Sequence, residues 1–318
     1  MASQRPTYSR ERLAKCISYI YNSPEDQGLT KLEELEELIQ RDPIKALTTL
    51  QQRQLATVPF SNVVLHYSQH HTISLDPDHL FHNLIERGFG GYCLENTGLL
   101  AIVIRSLGYQ LYTTAGRVSK AYDSPASADR FHPWGHMILV VTIGGKKYMV
   151  DVGFGPNGPT RPLLLEEDQP VTSFAPAQMR MIKANISPNV DRNQRLWVYQ
   201  TRSNPEGEWR DAYCFYDIEF LPEDYEIMNF WTSQHPTSTF KQKFVCAKFL
   251  LNGKEDDIIG TLALTGVDVK RNINGNIEKL ATLTSEAERV SALEKLFNVH
   301  LHPMEVRGIK DSVVEIQT

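Results

Sequence analysis

The stretch from Glu86 to Ile104, ERGFGGYCLENTGLLAIVI, places three glycines just before a cysteine and a long apolar run after it. Glycine adopts backbone torsions that other residues resist, so the three glycines predict a tight turn with free space beside Cys93. Apolar residues at helical spacing from Tyr92 to Leu107 predict a buried helix, and Gly108 is suited to end it. The chain is therefore expected to hold the Cys93 thiol at the start of a buried helix.

Composition places the chain among ordinary globular proteins. Of its 318 residues, 41% are hydrophobic and 22% are charged, and the net charge is −5. A slightly acidic chain without a long basic block is not expected to bind nucleic acid or an anionic membrane. The polar start MASQRPTYSRER and the short apolar runs predict neither a signal peptide nor a transmembrane helix. Four dispersed cysteines without a C-x-x-C pair favour reduced thiols and a cytoplasmic location.

Secondary-structure signals change along the chain. Helical spacing dominates the first third, except that Pro59 to Ser68 is predicted to be extended. After Gly108 strand patterns dominate, with one helix predicted from Pro222 to Trp231 and a last helix after Ser285. We therefore expect an α+β chain with a helical start, a β-rich middle and a mixed end.

The position of Cys93 suggests chemistry. A thiol at a helix N-terminus lies among unpaired backbone N–H groups and near the positive end of the helix dipole, and both favour the thiolate. Most free cysteines are instead small, buried and inert. The local sequence alone leaves a reactive and a structural Cys93 equally open.

A thiolate nucleophile needs a base and a group that orients the base. His136 opens one predicted strand and Asp151 closes the next, and Gly144-Gly145 between them predicts a hairpin. Antiparallel pairing brings the start of the first strand near the end of the second, so His136 and Asp151 are expected to be neighbours. Cys93, His136 and Asp151 are therefore the candidate nucleophile, base and orienting acid.

Two other patterns are not assigned to a site. GFGPNG, from Gly153 to Gly158, has the spacing of a dinucleotide-binding fingerprint, but the prolines around it oppose the helix that such a site requires. We predict a loop there. HYSQHH and HPWGH are rich in histidine but lack the H-E-x-x-H pattern, so no metal site is predicted.

RGFGGYCLEN around Cys93, HMILVV from His136 and YMVDVGFG around Asp151 resemble the catalytic blocks of the arylamine N-acetyltransferase family. PFSN at Pro59 to Asn62 and NFWTSQHPTSTF at Asn229 to Phe240 resemble two further blocks of that family. The blocks occur in the family's order and extend over most of the chain. The resemblance implies a helical bundle over residues 1–107, a β-barrel-like domain over 108–220 and an α/β lid over 221–318. It also implies a Cys-His-Asp core related to those of papain-like enzymes and transglutaminases.

The resemblance implies ping-pong acetyl transfer without a metal. Cys93 would attack the thioester of acetyl-coenzyme A, His136 would act as base and acid, and Asp151 would orient His136. An arylamine or arylhydrazine would then take the acetyl group. The implied contacts of coenzyme A are Gly153, Thr232, Ser233 and Ser238, and those of the amine are Phe60 and Phe154.

Two positions depart from the family's pattern. Phe89 stands where the family usually has an arginine, and Ser61 stands where it usually has a glutamate. In the family the arginine and the glutamate join the helical domain to the catalytic turn. Because both are replaced here, neither charge is left buried without its partner. We therefore expect a repacked, more apolar junction.

Three alternatives stay open. The donor could be malonyl- or propionyl-coenzyme A, with Arg130 as a partner for a donor carboxylate. The same three residues could serve a cysteine hydrolase or a transglutaminase-like enzyme, whose reaction would not depend on coenzyme A. A non-enzymatic binding protein is the third alternative, and its Cys93 would not react selectively with iodoacetamide near neutral pH.

Overall fold

The structure is a computed structural model that describes residues 5–122, 125–127 and 130–317. Its N-terminal part is helical. The first helices are α1 (Arg10–Ile20), α2 (Gly28–Arg41) and α3 (Pro43–Thr57). The Ser9 hydroxyl and the Asp42 carboxylate begin α1 and α3 by accepting hydrogen bonds from backbone N–H groups of the first turns. The apolar faces of these helices pack together and against the helix that follows the glycine-rich turn.

Shorter elements lead from α3 to the glycine-rich turn. They are β1 (Phe60–Ser61), α4 (Val63–Tyr67), α5 (Pro77–Leu80) and a π-helical segment (Phe81–Glu86). α6 (Cys93–Ser106) begins at the cysteine itself, and nearly all of its residues are buried. Gly108 has a φ of 88° and follows the helix end, which agrees with its predicted role.

An antiparallel sheet of eight strands forms the middle of the described chain. In chain order the strands are β2 (Gln110–Ser119), β3 (Phe131–Ile143), β4 (Lys146–Val150), β5 (Leu163–Leu164), β6 (Val171–Thr172), β7 (Gln178–Ala184), β8 (Leu196–Arg202) and β9 (Arg210–Phe215). Their order across the sheet is β5-β4-β3-β2-β9-β8-β7-β6. The sheet curls, because Met149 and Leu163 near one edge share an apolar cluster with Met179 and Met181 near the other.

The C-terminal part combines helices with a second antiparallel sheet. Its helices are α7 (Pro222–Gln234), α8 (Thr239–Gln242), α9 (Glu286–Phe297) and α10 (Pro303–Val306). Its strands are β10 (Val245–Leu251), β11 (Ile258–Thr265), β12 (Asp268–Ile273) and β13 (Asn276–Thr282). β1 pairs with β10, so the N-terminal segment contributes an edge strand to this sheet. Leu293 and Phe297 of α9 pack on the sheet through an apolar cluster.

The mixed helix and sheet content confirms the expected α+β class, and the predicted loop at Gly153 to Gly158 contains only a short 3₁₀ turn, Gly155–Asn157. The domain boundaries and the role of the last segment as a lid stay predictions. Within the described residues no helix has the length and apolar character needed to cross a membrane.

The expectation of an extended segment from Pro59 to Ser68 was wrong for its second half, which forms α4. Paired valines favour strands by intrinsic preference, but Val63 and Tyr67 share an apolar cluster with residues of the second sheet. Helical geometry turns both side chains to that cluster, and the buried packing outweighs the local preference.

Candidate active site

His136 and Asp151 lie side by side, as the hairpin pattern predicted. The ladder of β3 and β4 pairs Leu139 with Val150, which brings Asp151, just after β4, alongside the first part of β3. His136 Nε2 and Asp151 Oδ2 are joined by a hydrogen bond of 2.8 Å. Both side chains are buried, with exposed fractions of 2% and 0%.

Neighbouring backbone and side-chain amides hold Asp151 in place. Its Oδ1 accepts a hydrogen bond of 2.7 Å from the backbone N–H of Gly153. Its backbone carbonyl accepts one of 3.1 Å from Nε2 of Gln51, a fully buried residue of α3. The carboxylate therefore presents one oxygen to the backbone and the other to the imidazole, which orients His136.

Cys93 is the first residue of α6 and lies against the start of β3. Its Sγ donates to the backbone carbonyl of Gly135, at 3.3 Å, immediately before His136. All four cysteines are free and buried. Burial raises the pKa of the Cys16 and Cys214 thiols to about 12, so these two stay protonated near neutral pH. The Cys93 thiol itself lies beside the His136 imidazole.

The electrostatics of the pair favour a protonated imidazole. Burial alone would lower the pKa of His136, but the charge and hydrogen bond of Asp151, followed by the Cys93 thiol, raise it to about 10. Because Nε2 bonds to Asp151, Nδ1 is the ring nitrogen left for Cys93. A histidine that binds a proton this readily suits a thiolate–imidazolium pair.

The glycines around the thiol permit close backbone contacts. Gly90 has a φ of 67°, and a Cβ atom there would lie 2.0 Å from the carbonyl oxygen of Pro59. A Cβ atom at Gly153 would lie 2.6 Å from Cα of Cys93. Gly153, predicted as a coenzyme A contact, therefore also packs the strand end against the start of α6.

Phe60 and Phe154, predicted to contact the amine, lie close to Cys93 and His136 respectively. The ring centroid of Phe154 is 5.3 Å from that of His136. Phe60 is 6.0 Å from Phe240, whose ring stacks on Tyr92, the residue before the thiol. The two phenylalanines therefore belong to an aromatic surround of Cys93 and His136.

The hydroxyl residues predicted to contact coenzyme A lie at the end of α7 and just beyond it. Thr232 Oγ1 would lie 3.9 Å from a Cβ atom at Gly135, so it is next to the carbonyl that meets the thiol. The Ser238 hydroxyl is already engaged, because it donates a hydrogen bond of 2.6 Å to the Thr232 carbonyl. The Ser233 hydroxyl accepts a long hydrogen bond of 3.3 Å from Gln234. Of the three, Thr232 is the one placed beside the candidate catalytic residues.

A buried carboxyl in the first turn of α6 was missed by the sequence reasoning. Glu95 is 1% exposed, and its Oε2 accepts a hydrogen bond of 3.0 Å from the backbone N–H of Tyr92. Its Oε1 has no partner, and burial raises the pKa of this carboxyl to about 8. A glutamate three residues after a helix start is a capping signal, and this signal was available in the sequence.

The junction at Phe89 and Ser61 is apolar and close-packed. Phe89 is 6% exposed and belongs to the apolar cluster under the second sheet. The Ser61 hydroxyl donates a hydrogen bond of 2.6 Å to the Phe89 carbonyl. The Arg87 guanidinium lies 4.3 Å from the centre of the Phe89 ring and pairs with Glu305 near the C-terminus. The junction thus agrees with the expected repacking.

In the part of the chain that the structure describes, no group of three or more His, Cys, Asp or Glu side chains is arranged to hold a metal ion.

Comparison with known proteins identifies the family. The family model described as N-acetyltransferase matches residues 43–306. The N-malonyltransferase FDB2 of Gibberella moniliformis is 36% identical over 257 residues, which cover 77% of this chain and 74% of the relative. The arylamine N-acetyltransferase 2 of Mus musculus is 28% identical over 81% of this chain and 88% of its own length. The structure of Mycobacterium marinum arylamine N-acetyltransferase in complex with CoA has a TM-score of 0.69 at 26% identity, and covers 85% of this chain and 93% of the neighbour.

The matched region contains all three candidate catalytic residues and most of the described fold. The chain belongs to the arylamine N-acetyltransferase family, as the sequence blocks predicted, and it is an acyltransferase.

Proposed function

We propose that the chain transfers an acyl group from an acyl-coenzyme A to an aromatic amine or hydrazine through a thioester on Cys93. The observation that carries this proposal is the 2.8 Å hydrogen bond between His136 and Asp151, placed beside a thiol at the start of α6. A hydrolase or a non-enzymatic role has no comparable support, because the relatives that match the chain are named as N-acyltransferases.

The first half-reaction acylates the thiol. His136 takes the proton of Cys93 Sγ, and the thiolate attacks the thioester carbonyl of the donor. The bond from that carbonyl to the sulfur of coenzyme A breaks, and the leaving sulfur takes the proton from His136. One thioester replaces another, so this step needs little free energy.

The second half-reaction transfers the acyl group to the amine. The amine nitrogen attacks the Cys93 thioester, and the carbon–sulfur bond to Cys93 breaks. His136 accepts the proton that the amine loses, and Asp151 stabilises the imidazolium ion by charge and hydrogen bond. The products are an amide and the regenerated thiolate–imidazolium pair.

For the donor we propose malonyl-coenzyme A first and acetyl-coenzyme A second. Relatives named N-malonyltransferase are 36% and 34% identical to the chain, whereas two named arylamine N-acetyltransferase are 28% and 27% identical. Arg130, which is exposed just before β3, stays the proposed partner of a donor carboxylate. Thr232, Ser233, Ser238 and Gly153 stay the proposed donor contacts, and Gly153 packs against the start of α6 at Cys93.

Acylation of the purified protein by each donor tests the proposal. Intact mass is followed in single-turnover mixtures with acetyl- or malonyl-coenzyme A and no amine. We expect an adduct with both donors and faster formation with malonyl-coenzyme A. Faster formation of the adduct with acetyl-coenzyme A would make acetyl-coenzyme A the preferred donor. If neither donor formed an adduct, the proposed function would be contradicted.

A further inference from the structure

Tyr92, the residue before the thiol, is fully buried and makes contacts on three sides. Its backbone N–H donates to the carboxyl of Glu95. Its ring stacks on that of Phe240, with the ring centroids 5.2 Å apart and the planes inclined by 30°. Its hydroxyl donates a hydrogen bond to Oδ1 of Asn229, in the middle of α7. The hydroxyl therefore joins the turn that carries Cys93 to a helix from a distant part of the chain.

The side-chain amide of Asn229 is bonded at both ends. Its Oδ1 accepts from Tyr92, and its Nδ2 donates a hydrogen bond of 2.8 Å to the backbone carbonyl of Ile73. Met228, its neighbour on α7, shares an apolar cluster with Tyr92, and this packing holds the helix close to the turn. Apolar packing is not directional, whereas hydrogen bonds are. The amide is therefore the contact that fixes the position of α7 along the turn.

The position of α7 bears on the donor, because the helix carries Thr232 and Ser233. Thr232 is three residues after Asn229 and so lies on the same side of the helix. Its Oγ1 would be 3.9 Å from a Cβ atom at Gly135, whose carbonyl accepts from the thiol of Cys93. The exposed fractions of Cys93 and Thr232 are only 4% and 5%. A small displacement of α7 therefore changes the space between the proposed donor contacts and the thiol.

We propose that Tyr92 and Asn229 are positioning residues for the donor, whose hydrogen bond holds α7 at the distance from Cys93 at which acyl-coenzyme A binds. Both act through Thr232 and Ser233, and neither is assigned a contact with the reacting atoms. The inference rests on the proposed function, which makes those two residues donor contacts. It follows that loss of the hydrogen bond should weaken use of the donor without changing the reactivity of the thiol.

Tyr92→Phe tests the proposal, because it removes the hydroxyl and keeps the ring that stacks on Phe240. Single-turnover acylation of Cys93 is followed by intact mass over a range of concentrations of whichever acyl-coenzyme A acylates the parent faster. The concentration for the half-maximal rate should rise by about fivefold, the effect of one lost hydrogen bond. Alkylation of Cys93 by iodoacetamide should stay within about twofold of the parental rate, because the contacts of the thiol with Gly135 and His136 are unchanged.

Tyr109→Phe is the matched control. Tyr109 is 9% exposed, and its hydroxyl donates a hydrogen bond of 2.7 Å to the backbone carbonyl of Pro43, at the start of α3. The control therefore loses a similar hydrogen bond away from α7 and should be acylated like the parent. A parental concentration dependence in Tyr92→Phe would overturn the proposal. Equal losses of acylation and alkylation would also overturn it, because Tyr92 would then place the thiol itself.

Hydrogen exchange tests the hold on α7 without any acylation. Amides of α7 in Tyr92→Phe should exchange about fivefold faster than in the parent, whereas those of α9 should keep the parental rate. Asn229→Ala removes the same contact from the other side, so it provides the measurement if Tyr92→Phe folds poorly. Adding Tyr92→Phe to Asn229→Ala should change the exchange little further.

Unchanged exchange of α7 in both single variants, or fully additive effects of the two substitutions, would overturn the assignment of this hydrogen bond. Faster exchange of α7 with no acyl adduct on the parent would support the hold on α7 and count only against the proposed function.

Discussion

At the scale of residues, the proposed chemistry depends on the pair of His136 and Asp151. The raised pKa of His136 depends on a carboxylate that is fully buried and bonded on both oxygens. Without that charge, burial would lower the pKa of the imidazole and favour its neutral form. Orientation and proton affinity of His136 therefore have the same source.

Asp151→Asn is expected to slow acylation of Cys93 by roughly 10³-fold to 10⁴-fold, because an amide supplies neither the charge nor the orientation.

The raised pKa of His136 stabilises the fold fully below about pH 6.5, and this contribution is lost as the pH rises toward 10. The variant should therefore lose melting temperature mainly at the acid end of that range. Single-turnover rates and melts from pH 6 to 9 check both effects, with Asp257→Asn, at an exposed ion pair, as control. Parental acylation by Asp151→Asn would remove Asp151 from the mechanism.

Glu95 gives a second dependence on pH, of stability rather than of rate. The pKa of the Glu95 carboxyl is about 8 in the folded chain, against about 4.3 in a model peptide. Between these two pH values the folded chain keeps the Glu95 proton, whereas the unfolded chain has released it. Stability should fall as the pH rises between these values and level off above 8. Glu95→Gln keeps the shape without the proton, so it should raise the melting temperature at pH 8 more than at pH 5. Equal shifts at both pH values would contradict a buried neutral carboxyl.

Sequence spacing predicted that His136 and Asp151 are neighbours, because a two-glycine hairpin sets the register of β3 against β4. It did not predict the amides that hold the site. Gln51 and Gln54 of α3 resemble surface residues in the sequence, yet both are buried and donate to the backbone carbonyls of Asp151 and Asn96. Such contacts span long stretches of chain, and no local pattern encodes them.

At the scale of elements, the start of α6 is fixed by its junction with β1 and the glycine-rich turn. Ser61 and Phe89 meet across this junction through a 2.6 Å hydrogen bond. The apolar run of α6 predicted the helix correctly, whereas α4 was missed because its helix depends on packing against the second sheet.

Phe89→Arg is expected to destabilise the fold by about 3 kcal/mol or more, because it buries a charge without a partner. The nearby Arg87 guanidinium adds repulsion. Adding Ser61→Glu should recover part of the loss, since the new carboxylate would lie next to the new guanidinium. Denaturant unfolding of the two single variants and the double variant measures the coupling. Simple additivity would contradict a paired junction.

At the scale of the whole molecule, the second sheet and the C-terminal segment are tied to the helical part. Tyr67 of α4 donates a hydrogen bond of 2.6 Å to Glu286 of α9. Glu286 also accepts from the backbone of Ile316, at 2.8 Å, and pairs with Arg289, which is 1% exposed. The Tyr67–Glu286 hydrogen bond, like the pairing of β1 with β10, joins segments far apart in the sequence, so the sequence pattern did not reveal it.

Glu286→Ala is expected to cost about 3 kcal/mol, because it leaves the Arg289 guanidinium buried without its carboxylate. Glu294→Ala, at an exposed glutamate of the same helix, is the matched control and should change stability little. Urea unfolding measures both, and limited proteolysis should release the C-terminal segment faster in Glu286→Ala. Equal stability of the two variants would mean that this network does not hold the segment.

The proposed mechanism requires most directly that Cys93 carry the acyl group. Parent protein and Cys93→Ala are each mixed with acetyl- and malonyl-coenzyme A, and intact mass is measured before any amine is added. The proposed mechanism predicts a single acyl adduct on the parent, none on Cys93→Ala, and loss of the adduct when an arylamine is added. An adduct of equal yield on Cys93→Ala, or an adduct on the parent that arylamines leave in place, would contradict it.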